Sequence, residues 1–208
     1  MLRKLLFLVS EVQKLIVKNQ LFIRRCFYFL FITLIVFFLF SYQITAIRPW
    51  WSNFGRKAAD LSLIVFWLTL LPGIMRRFQV TNFFLPLRTI LMLFRKELGI
   101  LTYLLALTHY GWSRVFPILL TRGDLLSFSL FEIFGVTAFA LATPLFLTSN
   151  DWSFKKMGKL WKKLHNLSYI IIWLLFIHIV LRNPDIKALI TLVIALLEWS
   201  SLFIAKRN

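Results

Sequence analysis

Three histidines hold most of the chemistry available to this 208-residue chain: His109, His165 and His178. Imidazole binds transition metals such as iron through one ring nitrogen while the other nitrogen donates a hydrogen bond. A lone polar aromatic in an apolar run is more often a hydrogen-bonded core residue than a ligand. Here all three lie in or at the edge of strongly apolar runs, and no histidine occurs elsewhere. The single cysteine, Cys26, excludes an intrachain disulfide, a thiolate-held iron–sulfur cluster, a Cys-rich zinc site and C-x-x-C-H haem attachment from this chain alone. The 7 glycines form neither G-x-x-x-x-G-K nor G-x-G-x-x-G, so no standard loop for ATP or a dinucleotide is present.

The elements that position these histidines follow from composition. With 60% hydrophobic residues, 17% aromatic and a mean hydropathy of +0.78, the chain is not an ordinary soluble domain. A membrane-spanning helix needs about 20 mostly apolar residues. Such runs are read near 26–47, 58–75, 98–118, 125–147, 164–181 and 186–205. The fold class expected is therefore all-α and integral to the membrane, a bundle of six transmembrane helices over 26–208. Residues 1–25 precede it, with apolar positions at helical spacing broken by Glu11, Lys14 and Lys18, which predicts an amphipathic helix on the membrane surface. A cleavable signal peptide is disfavoured, because Arg24-Arg25 rather than a small-residue cleavage site follow the apolar part. Expected breakers are Pro49 and Gly55, Pro72-Gly73, Pro117 with Gly123, and Pro184.

The formal charge of +17 sorts by side. Seven of the 25 bases (Arg48, Arg56, Lys57, Arg114, Arg122, Arg182 and Lys187) fall on one side, and the other 18 share the side of both termini. The positive-inside rule makes that side cytoplasmic. Because these bases are spread over four short segments between spans, they read as an orientation signal and a surface for anionic lipid or an acidic electron donor, not for nucleic acid.

With this topology His109 lies ~18 Å and His178 ~21 Å above the cytoplasmic edge. Two imidazoles at one depth on different helices meet the requirement of a bis-histidine haem. His165 is 13 residues before His178, or ~20 Å along the axis, a spacing suited to a second centre nearer the cytoplasm. On an ideal helix, however, the two rings would lie ~140° apart. Either a π-bulge separates them or the second site is not directly below the first.

Sequence context sharpens the reading. Phe-Arg-Lys-Glu-Leu-Gly at 94–99, Tyr103 and Thr-His-Tyr at 108–110 are followed by Leu-Thr-Ser-Asn at 147–150, then Trp161-x-x-Leu164-His165-x-x-x-Tyr169, then Ile177-His178. This pattern resembles the ferric-reductase-like transmembrane domain over about residues 50–205. Within that superfamily it is most similar to the haem-binding membrane subunits of bacterial periplasmic methionine-sulfoxide-reductase systems. Gly55-Arg56-Lys57-Ala58, Leu71-Pro72, Leu120-Thr121-Arg122 and a chain that stops after the sixth run support the narrower likeness.

The resemblance implies non-covalent b-type haem in a bacterial inner membrane, with electrons passing outward from the cytoplasm. It matches His109 and His178 to the outer ligand pair and His165 to an inner ligand. Relatives with two full sites carry another histidine about 14 residues before the outer one on the third helix, where this chain has Arg95. The inner site then holds a second haem with another ligand, or a flavin such as FMN, or a quinone. A cytoplasmic flavin reductase or flavoprotein would supply electrons, and a periplasmic methionine sulfoxide reductase would receive them. Ferric iron or oxygen is the runner-up acceptor, and a transporter or scaffold without redox function is the reading from another class.

Haem propionates call for cations. Arg56, Arg114 and Arg122 are candidates on the outer side, Arg95 and Lys162 on the inner, with headgroup binding as the equal alternative. Tyr110, Trp112, Tyr169 and Trp173 read mainly as packing and interface residues. Glu132 and Glu198 fall inside spans, so each should face the bundle and take a basic or hydrogen-bonding partner.

Overall fold

The computed structural model describes residues 2–79 and 84–207, with side chains at 9–79 and 84–204. Arg3, Lys4, Lys206 and Arg207, which enter the charge asymmetry, lie outside the described side chains. Every regular element among the described residues is helical. In chain order these are α1 (Leu2–Lys18), α2 (Gln20–Ser41), a 3₁₀ turn (Thr45–Trp50), α3 (Trp51–Arg77), α4 (Leu85–Leu93) and α5 (Arg95–Tyr110). A π segment (Gly111–Val115), α6 (Phe116–Thr121), α7 (Leu130–Leu147), α8 (Asp151–Met157), α9 (Lys159–His165), α10 (Ser168–Arg182) and α11 (Ile186–Arg207) follow.

Among the described residues, five helices are long and apolar enough to cross a membrane: 20–41, 45–77, 130–147, 159–182 and 186–204. The chain is an integral membrane protein. The run expected at 98–118 is helical from Arg95 to Thr121, in three consecutive segments. It does not stand out by hydropathy because His109, Trp112 and Arg114 sit in its middle. Those polar groups are tolerated because they face protein: Trp112 is 6% and Arg114 9% exposed.

The expected breakers behave differently from one another. Pro49 lies in the 3₁₀ turn, as a breaker should. Gly55 does not stop anything; it sits inside α3, which begins at Trp51, seven residues before the apolar run. Pro72-Gly73 also fail to end the second span, and α3 continues to Arg77. Pro72 forfeits one helix hydrogen bond but is almost completely buried, and the extra turn delivers Arg77 to a buried carboxylate on α11. Pro117 falls in the first turn of α6, where a missing N–H is tolerated. Asn19 separates α1 from α2, so the second helix starts six residues before the run read from 26.

The core is a cluster from four helices: Phe66, Leu70 and Ile74 of α3, Ala138 of α7, Ile171 and Ile172 of α10, and Ile194 and Ala195 of α11. The lipid-facing surfaces stay apolar, as in α2, where Phe29 is 73% exposed. Cross-links show that the helices alternate in direction. At one end Arg77 pairs with Glu198 at 2.9 Å and Lys96 with Asp151 at 3.2 Å. At the other Lys187 pairs with Asp60 and Arg114 with Glu132, both at 2.6 Å. Both intramembrane glutamates therefore have the basic partners expected of them.

Candidate haem cavity

His109 on α5 and His178 on α10 line a single cavity of about 540 Å³, within the usual range for small-ligand sites. It lies at the end of the bundle marked by Asp60 and Lys187. Its walls come from α3, α5, the π segment, α7, α10 and the start of α11. Tyr103, Tyr110 and Phe139 form a stacked aromatic side, with Tyr103 5.0 Å and Tyr110 5.7 Å from Phe139 between centroids.

Each histidine is held the same way. Nδ1 of His109 is 2.9 Å from the carbonyl oxygen of Gly55, and Nδ1 of His178 is 2.7 Å from that of Phe131. A carbonyl only accepts, so both rings must carry their proton on Nδ1 and donate it. That leaves each Nε2 with a lone pair and, among the described residues, no protein partner. Orienting an imidazole through a backbone carbonyl in this way fixes tautomer and ring direction for a metal ligand.

Two glycines make the arrangement possible. A Cβ on Gly135 of α7 would lie 2.7 Å from Nδ1 and 2.8 Å from Cε1 of His178, so only glycine lets that ring lie against the helix. A Cβ on Gly55 would collide with the Ser113 hydroxyl; the close approach of α3 to the π segment is what brings the Gly55 carbonyl to His109. Ser113 adds its hydroxyl 3.2 Å from the same Nδ1. Two lone-pair nitrogens in one cavity, with aromatic and apolar walls and glycine at the closest contact, fit a flat iron macrocycle.

The charged groups divide by partner. Arg114, expected as a candidate cation for a propionate, is tied to Glu132 and to the carbonyls of Leu125 and Ser127, so it anchors the loop before α7. Arg56 lines the cavity, is exposed, and has no ion pair or hydrogen bond among the described residues. Arg182 shares all three properties. Arg122 is elsewhere: it is exposed in a left-handed conformation (φ 54°) at the end of α6 and does not line the cavity.

His165 and Arg95 are likewise outside the cavity lining. His165 ends α9, its ring stacked 3.8 Å from Trp161, with Nε2 3.2 Å from the Thr148 hydroxyl. That hydroxyl donates to the Pro144 carbonyl at 2.7 Å, so His165 is the donor through Nε2, opposite to the other two histidines. Asn166 and Leu167 break the helix between His165 and Ser168. The π segment lies instead after α5, the helix that carries His109, beginning directly after Tyr110. Arg95 is exposed at the start of α5.

Arg182, Ser113 and Gly135 escaped the reading of the sequence. The first two had a legible signal, because each stands four residues after a histidine and so shares its helix face. Gly135 had none, since its partner is 43 positions away.

Residues 58–176 match the family described as ferric reductase like transmembrane component. The chain belongs to that family. Relatives in Brucella ovis, Brucella canis and Brucella abortus, each named protein-methionine-sulfoxide reductase heme-binding subunit MsrQ, are 36% identical over 122 residues. The match takes in 52% of this chain and 53% of each relative, so the chain spans about half the length of the curated relatives it matches. No solved structure matches. The family segment takes in His109 and His165 and stops two residues before His178.

Proposed function

We propose that the chain is a haem-holding electron-transfer subunit of a membrane oxidoreductase, with His109 and His178 as the residues that would hold the iron of one b-type haem. The observation that carries this reading is the matched tethering of the two rings: each Nδ1 is committed to a backbone carbonyl and each Nε2 is left to the shared cavity. The names of the relatives support it. Arg56 and Arg182 would take the propionates. Bound there, haem iron would supply a one-electron couple, and two neutral nitrogen donors from the protein suit electron transfer better than oxygen chemistry. The residues' own work is to hold the rings, exclude water with the Tyr103, Tyr110 and Phe139 side, and balance charge at the mouth.

On this reading six helical crossings run through the bundle, with Arg95–Thr121 as the one not evident from hydropathy, and α1 lies on the cytoplasmic surface of a bacterial inner membrane. Both termini are cytoplasmic. A flavin- or NAD(P)H-dependent cytoplasmic protein donates electrons, and a periplasmic methionine sulfoxide reductase accepts them at the cavity end. A second, inner centre at His165, whether haem, FMN or quinone, would require Nε2 of His165 to leave Thr148.

The test is the absorption spectrum of the purified chain with its haem content. A Soret band is expected at one haem per chain or more, lost from the outer site in His109→Ala and in His178→Ala while the helical content stays. A wild-type chain without haem, or a spectrum that neither substitution alters, overturns the proposal.

A further inference from the structure

We infer that α2, which lies before the matched family segment, acts as a positioning element for His109 by holding the π segment that follows it; the inference rests on the reading of His109 as a haem ligand. In an uninterrupted α-helix Arg114 would stand about 140° around the axis from His109. Here the Phe116 N–H donates to the Gly111 carbonyl five residues back, which inserts one residue into the turn and brings that angle down to about 40°. His109, Ser113 and Arg114 consequently all line the one cavity. The π turn lets a single helix face supply the ligand, the hydroxyl beside its Nδ1 and the arginine that pins α7 through Glu132.

A π turn is intrinsically less favourable than α-helix and needs support from its surroundings. That support comes from α2. The Phe38 ring presses on Gly111 so closely that a Cβ there would collide with it. Phe38 also stacks on Phe116 at 5.1 Å, and Phe37 meets Trp112 edge-on at 5.6 Å. The buried Trp112 donates from Nε1 to Ser41 Oγ at 2.8 Å, and Ser41, with no exposed surface, passes its own proton to the Phe38 carbonyl at 2.6 Å. Farther down, Arg24 of α2 lies 3.4 Å from the fully buried Glu97 of α5 and donates to the Leu93 carbonyl, which sets the height of one helix against the other.

The roles follow directly. Ser41 and Phe38 are positioning residues that act through Trp112 and Gly111; neither lines the cavity. Removing the Ser41 hydroxyl leaves a buried indole N–H without an acceptor, so the π turn competes less well with an ordinary α-helical register in which His109 is rotated away.

The experiment compares purified wild type, Ser41→Ala, Ser41→Thr, Gly111→Ala and the double variant Gly111→Ala with Phe38→Ala. Haem content and the ratio of high-spin to low-spin haem, from absorption and electron paramagnetic resonance, are the readouts. Ser41→Ala should raise the high-spin to low-spin ratio about fivefold, as expected for one unsatisfied buried donor, and Ser41→Thr should restore it. Gly111→Ala should do the same or worse, and Phe38→Ala in the same chain should bring the low-spin signal back by clearing the space. Wild-type spin ratios in both Ser41→Ala and Gly111→Ala overturn the inference and leave the haem assignment standing. A wild type without haem overturns the assignment itself. Should Gly111→Ala not fold, the serine pair alone decides.

Discussion

Replacing Gly135 by alanine separates the demands of the fold from those of the site, because the two respond with opposite sign. Alanine at an interior helix position is favoured over glycine by about 0.5–1 kcal/mol, so α7 itself should gain. At the site, the new Cβ would lie 2.7 Å from Nδ1 of His178, against an ordinary contact of 3.4 Å or more. The imidazole must therefore retreat by about 0.7 Å, and the 2.7 Å bond from Nδ1 to the Phe131 carbonyl cannot survive that shift unchanged. Loss of the hydrogen bond that orients a metal-ligating histidine weakens metal binding about 10- to 100-fold. Titration of haem into the haem-depleted protein measures the affinity, and thermal unfolding of the same sample measures the fold. The expected result is weaker haem binding by that factor with an unchanged or higher unfolding temperature. Wild-type affinity in Gly135→Ala would refute the claim that this glycine makes room for a ligand.

Other consequences can be measured independently. Arg77→Met or Glu198→Gln each leaves one half of a buried pair, with side chains only 11% and 3% exposed, and should cost about 3–5 kcal/mol of stability, seen as a lower unfolding temperature; the double variant should recover much of it. Arg56→Gln with Arg182→Gln should speed haem loss and leave the unfolding temperature of the haem-depleted protein within a degree or two, because neither guanidinium has a partner among the described residues. Sidedness is open to labelling. In a Cys26→Ser background an impermeant maleimide should reach Asp124→Cys in spheroplasts but reach Lys155→Cys only after lysis, and the reverse pattern would invert the proposed topology.

The positions of the apolar runs and the meeting of His109 and His178 at one depth, in one cavity, were legible because both depend on local rules, hydropathy and helix rise. What was not legible depends on partners far away in sequence. Pro72 looked like a helix end, and only the buried Glu198, 126 positions later, explains why α3 continues to Arg77. Arg114 read as a candidate propionate partner, yet it is engaged by Glu132 and two loop carbonyls. Arg122 had the right charge, but it sits in a left-handed conformation at the end of α6 and does not line the cavity. Of the two answers to the angular mismatch between His165 and His178, no π-bulge lies between them and His165 stays outside the cavity that His178 lines; the π segment follows Tyr110 instead, where the packing of Phe38 of α2 on Gly111 has no local signal.

His109 stands 14 residues after Arg95 on its helix, which on the proposed topology is roughly two thirds of the way through the hydrocarbon layer. On the proposed function an electron reaching a haem there from the cytoplasmic face would have crossed most of the insulating thickness, so the first leg of transport would draw down an interior-negative membrane potential. At about 2.3 kcal/mol per charge per 100 mV for a full crossing, that leg is worth about 1.6 kcal/mol per 100 mV, more than a tenfold change in the equilibrium. Reduction of an outer acceptor would therefore slow when the resting voltage collapses, because outward movement of negative charge is assisted by an interior-negative potential. The cell's energetic state would then set the throughput of this protein without any regulatory site on it.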